Sequence, residues 1–114
     1  NSEVHSIWHL AAIQLLKDCG QDVHHEAIER VTQQDDLMQL ARWVIEKLLV
    51  RGQELTAALY RLDIPEQKIR QMTQSVSVDE RLTAVAKAAA ERCIQKVQFR
   101  RLYSDLAEMI ETVN

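Results

Sequence analysis

Two glycines and a single proline are all that interrupt this chain of 114 residues. No stretch alternates β-branched with polar side chains, so strands and tight hairpins have no footing. The sequence therefore predicts an all-α protein, a single-domain helical bundle of five or six helices over residues 1–114 that ends in a long helix. Apolar residues make up 46% of it, enough for one core in about one domain's length of chain. The longest apolar runs, such as WVI and LLV, are too short for a membrane span. Residues 1–20 show no basic region followed by an apolar stretch. A soluble, cytoplasmic protein without membrane contact is the expectation.

Helical spacing places the elements. A first helix opens after Ser2 with Val4, Trp8, Ala11 and Leu15 on one stripe, and closes at Asp18-Cys19-Gly20, where Gly20 can take a left-handed conformation. Asp22 is the predicted N-cap of a short segment through about Gln33. A third helix from Asp35 or Asp36 carries Leu37, Leu40, Ala41, Val44, Ile45 and Leu48, the strongest stripe in the chain. At Gly52 a break and a kink are both open.

Two capping boxes follow. In DIPE, Asp63 and Glu66 can exchange hydrogen bonds with each other's backbone amides, with Pro65 tolerated in the first turn, which starts a helix of about ten residues at Ile64. In SVDE, Ser77 and Glu80 start the last helix at Val78. Its stripe of Val78, Leu82, Val85, Ala89, Cys93 and Val97 would continue onto Arg100 and Arg101, whereas the apolar residues resume at Phe99, Leu102, Leu106, Met109 and Val113. Either the helix bends near 98–101 or its halves meet different partners. About 36 residues make about 54 Å of helix, so its end is expected to pack on a second copy or to fold back. The expected assembly is a homodimer with Phe99, Leu102, Leu106, Met109 and Val113, or Leu82 and Val85, in its interface.

Charge is uneven beneath a net −3. Residues 1–50 hold eight acids against four Lys or Arg, while residues 60–101 hold nine bases against five acids. A basic half can meet phosphate, although an isoelectric point near 5.8 is low for a free-standing DNA-binding domain. Residues 55–74 have the apolar spacing of a helix-turn-helix corner in Leu59, Leu62, Ile64, Ile69 and Met72. Its second helix would present Gln67, Lys68, Arg70 and Gln71, with Arg61 beside the turn, as candidate DNA contacts. Any helical hairpin with a capped second helix has similar spacing.

The segment AALYRLDIPEQKIRQM followed by SVSVDERLTAVA resembles the central part of the D subunit of the flagellar master transcriptional regulator and related helical regulators of conjugative elements. Tyr60, Arg61, Leu62 and Ile64 match the turn that opens a short helix there, and Val76, Ser77, Val78 and Asp79 match the next cap. The likeness covers about a quarter of the chain; Asp63 replaces the family's glycine, and residues 1–50 bear no likeness. It implies a dimeric helical regulator that contacts DNA as part of a protein complex.

Enzyme signatures are incomplete. His5 and His9 have metal-ligand spacing, and His24, His25 and Glu26 would have to supply a third ligand through a tertiary contact. Glu26 and Glu29 form one E-x-x-E pair without a second acidic motif, and there is no glycine-rich phosphate loop. Cys19 lies at a helix C-terminus, where the dipole disfavours a thiolate. No metal, no cofactor and no catalytic residue is assigned. The leading expectation is a non-enzymatic regulator acting in transcriptional control through the 55–74 corner within a protein complex. The alternative is a protein-interaction module, an adaptor, chaperone or inhibitor, without nucleic-acid binding.

Overall fold

The computed structural model describes residues 6–50, 55–72, 74 and 77–113. Among them are six helices and no strand: α1 (Ile7–Asp18), α2 (His25–Glu29), α3 (Gln34–Val50), α4 (Leu55–Leu62), α5 (Glu66–Met72) and α6 (Val78–Val113). The all-α bundle and its long last helix are as the sequence predicts. Several boundaries differ for local reasons.

Ser6 caps α1, its hydroxyl accepting from the His9 amide at 3.3 Å; Val4 and His5 lie outside the described residues. Asp22 caps nothing; His24 precedes α2 without a side-chain cap bond. The Thr32 amide and hydroxyl both donate to the Asp36 carboxylate at 3.0 Å, and the amide bond above all holds that carboxyl below its ordinary range. Gly52, between α3 and α4, is outside the described residues. At the start of α6 the Ser77 hydroxyl takes the Glu80 amide at 3.1 Å, as the SVDE motif predicts.

The DIPE motif behaves otherwise. Asp63 does not cap α5; it closes α4. The Asp63 amide donates to the Tyr60 carbonyl at 3.0 Å and the Ile64 amide to the Leu59 carbonyl at 3.4 Å, with Asp63 at φ +61°. This is the bonding seen at the end of α1, where Gly20 at φ +67° donates to Lys17 at 3.1 Å and Gln21 donates to Leu16 at 2.8 Å. Both ends are Schellman motifs. In one a glycine takes the left-handed position and in the other an aspartate, at a cost of about 1–2 kcal/mol in local strain. Helix α5 then starts two residues later than predicted and has 7 residues.

Helix α6 is the axis on which α1, α3, α4 and α5 all pack, while α2 leans on α1. Its buried positions are mostly small: Ala86, Ala88, Ala89, Ala90 and Cys93. Short side chains let several helices approach one helix closely. Larger ones from the neighbours, Leu15, Leu16, Leu37, Ile45 and Leu62, fill the space around it. Val97 is the last buried residue. Beyond it the helix neither bends back nor breaks; residues 98–112 are all exposed. The long axis of the molecule, 55 Å, is the length of this one helix. The radius of gyration of 15.7 Å exceeds the roughly 13 Å of a compact chain of this length, as a projecting stalk requires.

Candidate interaction site

Two surfaces carry the candidate residues: the α4–α5 corner and the α6 stalk. At the corner the bases are engaged by the protein's own helix ends. The last turns of α1 and α4 converge, and a helix C-terminus presents unbonded carbonyls and partial negative charge. Arg61 Nε donates to the Asp18 carbonyl at 2.8 Å. Lys96 Nζ donates to the Asp18 carboxylate at 2.7 Å and to the Arg61 carbonyl at 3.1 Å. Arg92 donates to the Asp63 carbonyl at 3.1 Å and to its carboxylate at 2.9 Å. Three cations thus serve two negative helix ends. Three of the nine bases in residues 60–101 are thereby engaged without any phosphate.

The remaining candidates for DNA contact lie on the outer face of α5. Lys68 pairs with Glu91 of α6 at 3.4 Å, and Arg70 with Glu66 one turn earlier at 3.0 Å. The Glu66 carboxylate is turned toward Arg70, along α5, away from the Asp63 amide that the capping box required. Gln67 and Gln71 are exposed. Exposed pairs of this kind contribute about 0–1 kcal/mol each.

Of the candidate interface residues, the proximal pair is used within the chain. Val85 is buried, and Leu82 packs against the core, beside an apolar groove also lined by Leu49, Leu55, Ile69 and Met72. The distal set is open. Phe99, Leu102, Leu106 and Met109 are 50%, 51%, 42% and 64% exposed, with Tyr103 and Ile110 exposed beside them; the Val113 side chain lies outside the described set. These residues recur every three then four positions, so they form one face. That face stands directly above the corner, because Phe99 is two turns beyond Arg92, the residue that grips Asp63.

Of the reactive groups considered from sequence, both thiols are buried and one carboxylate of the E-x-x-E pair is engaged. Burial, with the nearby Asp18 charge adding to it, pushes the Cys19 thiol up to about 11 and the Cys93 thiol up to about 12. Both stay protonated and poorly nucleophilic near neutrality. Glu29 of the E-x-x-E pair is bonded to His25 at 2.8 Å. Among the described residues no group of three His, Cys, Asp or Glu could hold a metal ion, and no helix is long and apolar enough to cross a membrane.

Sequence spacing located the stalk face but missed the junction of Asp18, Arg61 and Lys96. Its members are separated by up to 78 positions, and no local pattern announces them. Comparison with known protein families, curated proteins and solved structures finds no match to this chain.

Proposed function

We propose that this protein is a non-enzymatic interaction module whose working surface is the apolar face of the α6 stalk. The observation that carries the reading is the exposure of Phe99, Leu102, Leu106 and Met109 together on one face. Large apolar side chains exposed together on one face, rather than scattered singly, are a feature of surfaces where another protein binds. The stalk also has little to sustain it: residues 98–112 are all exposed, and its last turn carries no base to oppose the helix dipole. Short helical stretches without packing are marginal in water. A bound partner supplies what the chain does not.

The test is capture of associated protein by the wild-type chain, by Leu106→Asp and by Val23→Asp, which changes an exposed apolar residue elsewhere. Association is expected to be lost with Leu106→Asp and kept with Val23→Asp. Retention by Leu106→Asp would overturn the reading.

A second reading, transcriptional control through the α4–α5 corner, is supported by two observations. Asp63 makes the left-handed turn where the resembling regulators carry glycine, and Gln67 and Gln71 stand exposed on α5 with Lys68 and Arg70. Arg61 is less suited to it, being held by Asp18. Titration with duplex DNA at two salt concentrations tests this. Lys68→Ala with Arg70→Ala should flatten the log-affinity against log-salt slope by about one unit for each phosphate that the two bases had neutralised. Absence of binding at low salt removes the reading.

A further inference from the structure

We infer a second site on the molecule: the wedge between α1 and the root of the α6 stalk binds an amphipathic anion, an acyl chain that ends in a carboxylate. The two helices are tied where Lys96 Nζ donates to the Asp18 carboxylate at 2.7 Å, and Gln14 Nε2 donates to the same carboxylate at 2.9 Å. Next to that tie a cavity of about 470 Å³ opens between the helices. Leu10 and Ile13 of α1 and Val97 of α6 supply its apolar lining, and Lys17, Arg100 and Arg101 its charge. Sites for small ligands have this size, about 300–1,000 Å³, and this make-up of an apolar lining with a few polar groups.

Charge names the head of the ligand. Arg42, Lys68, Arg70, Arg92 and Lys96 each meet a carboxylate of the chain itself. At the wedge none is supplied: no acid among the described residues lines the cavity, and among them Lys17 and Arg100 enter no ion pair. Like charges gathered round an apolar floor repel one another, and an anion placed between them turns that repulsion into attraction. A guanidinium can hold a carboxylate through two parallel hydrogen bonds. The floor names the rest. Leu10 and Ile13 are partly buried against the core and Val97 is buried, while the stems of the three bases lengthen the apolar walls. No aromatic side chain lines the cavity among the described residues, so a flat ring has nothing to stack on and an aliphatic chain is the better fit. From Val97 to Ser104, both in the lining, α6 rises about 10 Å, room for an acyl chain of medium length. At helical spacing Arg100, Arg101 and Ser104 point away from the face of Phe99, Leu102, Leu106 and Met109. A protein held on that face leaves the wedge open, so the inference goes beyond the interaction-module reading and does not depend on it.

Octanoate, and octanamide as its uncharged counterpart, are the probes, titrated by calorimetry and by amide nuclear magnetic resonance below the concentration at which octanoate forms micelles. Octanoate is expected to bind saturably, with amide shifts gathered in residues 10–17 and 97–104, and octanamide far more weakly. Lys17→Gln combined with Arg100→Gln replaces two exposed side chains, so the fold should survive, as circular dichroism checks, while affinity for octanoate falls about tenfold or more. Lys87→Gln, at an exposed base elsewhere on α6, and Leu106→Asp, on the apolar face of the stalk, should leave that affinity unchanged. Absence of saturable binding at millimolar octanoate would overturn the inference. So would equal binding of octanamide, or an affinity indifferent to the loss of Lys17 and Arg100. Binding abolished by Leu106→Asp would put the chain on the stalk face and remove the wedge as its site. Cosedimentation with phosphatidylglycerol vesicles without binding of free octanoate would mean that these bases meet a membrane surface, and would count against the inference equally.

Discussion

The two halves of α6 are one helix built on opposite choices of side-chain size. From Val78 to Val97 the buried positions are alanines, a cysteine and two valines, and the large side chains come from α1, α3 and α4. From Phe99 to Ile110 the large apolar residues are Phe, Leu, Tyr, Met and Ile, and all of them are exposed. Small residues mark where a helix is surrounded; large ones mark where it must reach. A single average over α6 would hide both facts, since the apolar face rotates where Val97 gives way to Arg100 and Arg101.

Identical substitutions on either side of that point give the sharpest contrast. Val97→Asp places a carboxylate where the valine is 2% exposed. Desolvation of several kcal/mol is then set against a total stability of about 5–15 kcal/mol. The variant is expected to be unfolded or nearly so by circular dichroism. Leu106→Asp should leave the stability read from urea titration within about 0.5 kcal/mol of wild type at concentrations too low for association. Equal losses would break the comparison.

Overpacking gives a smaller effect. Ala90 is fully buried and Ala107 is exposed, so Ala90→Leu should cost about 1–3 kcal/mol in denaturant titrations. Ala107→Leu should cost almost nothing, because Leu is nearly as good a helix former.

Charge removal comes next. Lys96→Met leaves the Arg61 carbonyl without this donor and the Asp18 carboxylate with Gln14, which donates to it at 2.9 Å, in a site where both side chains of the ion pair are mostly covered. We expect about 1–2 kcal/mol of destabilisation in thermal unfolding. Arg100→Met, a turn further on, should be neutral for stability to within about 0.5 kcal/mol.

The smallest effect is in pH. Because the Cys93 thiol is held neutral up to about 12, unfolding at alkaline pH releases a thiol that ionises near its ordinary value of about 8.5. Its contribution to stability is whole below that value and declines as pH rises toward 12. Cys93→Ala should flatten the alkaline fall in melting temperature. A cysteine placed on the stalk by Ser104→Cys should react at once with an aromatic disulfide reagent, while Cys93 waits for unfolding.

Most of the architecture is legible because its signals are local. Gly20, Ser77 with Glu80, and the α3 stripe of Leu37, Ala41, Val44, Ile45 and Leu48 each work within a turn or two of chain. Asp63 departs from its local pattern for the opposite reason. Its spacing to Glu66 satisfies a capping box, but the stronger partner for its carboxylate is Arg92, 29 positions away, and Arg70 takes Glu66. Legible at that point is only the departure from glycine, at a position whose backbone is left-handed. The stalk face is visible as a three-four repeat. The neutralisation of Arg61, Arg92 and Lys96 is not, since it depends on where α1 and α4 end in space.

The junction of Asp18, Arg61 and Lys96 also sets an order of events during synthesis. Helix α1 leaves the ribosome with Ala11, Ala12, Leu15 and Leu16 ready to be buried, yet much of its packing surface belongs to α6 and the cation that holds its end is residue 96. At about 5–20 residues per second, roughly 4–16 s pass before that residue is made. For that interval the nascent chain carries a finished helix with an open apolar side, which is the kind of surface that chaperones and neighbouring nascent chains bind.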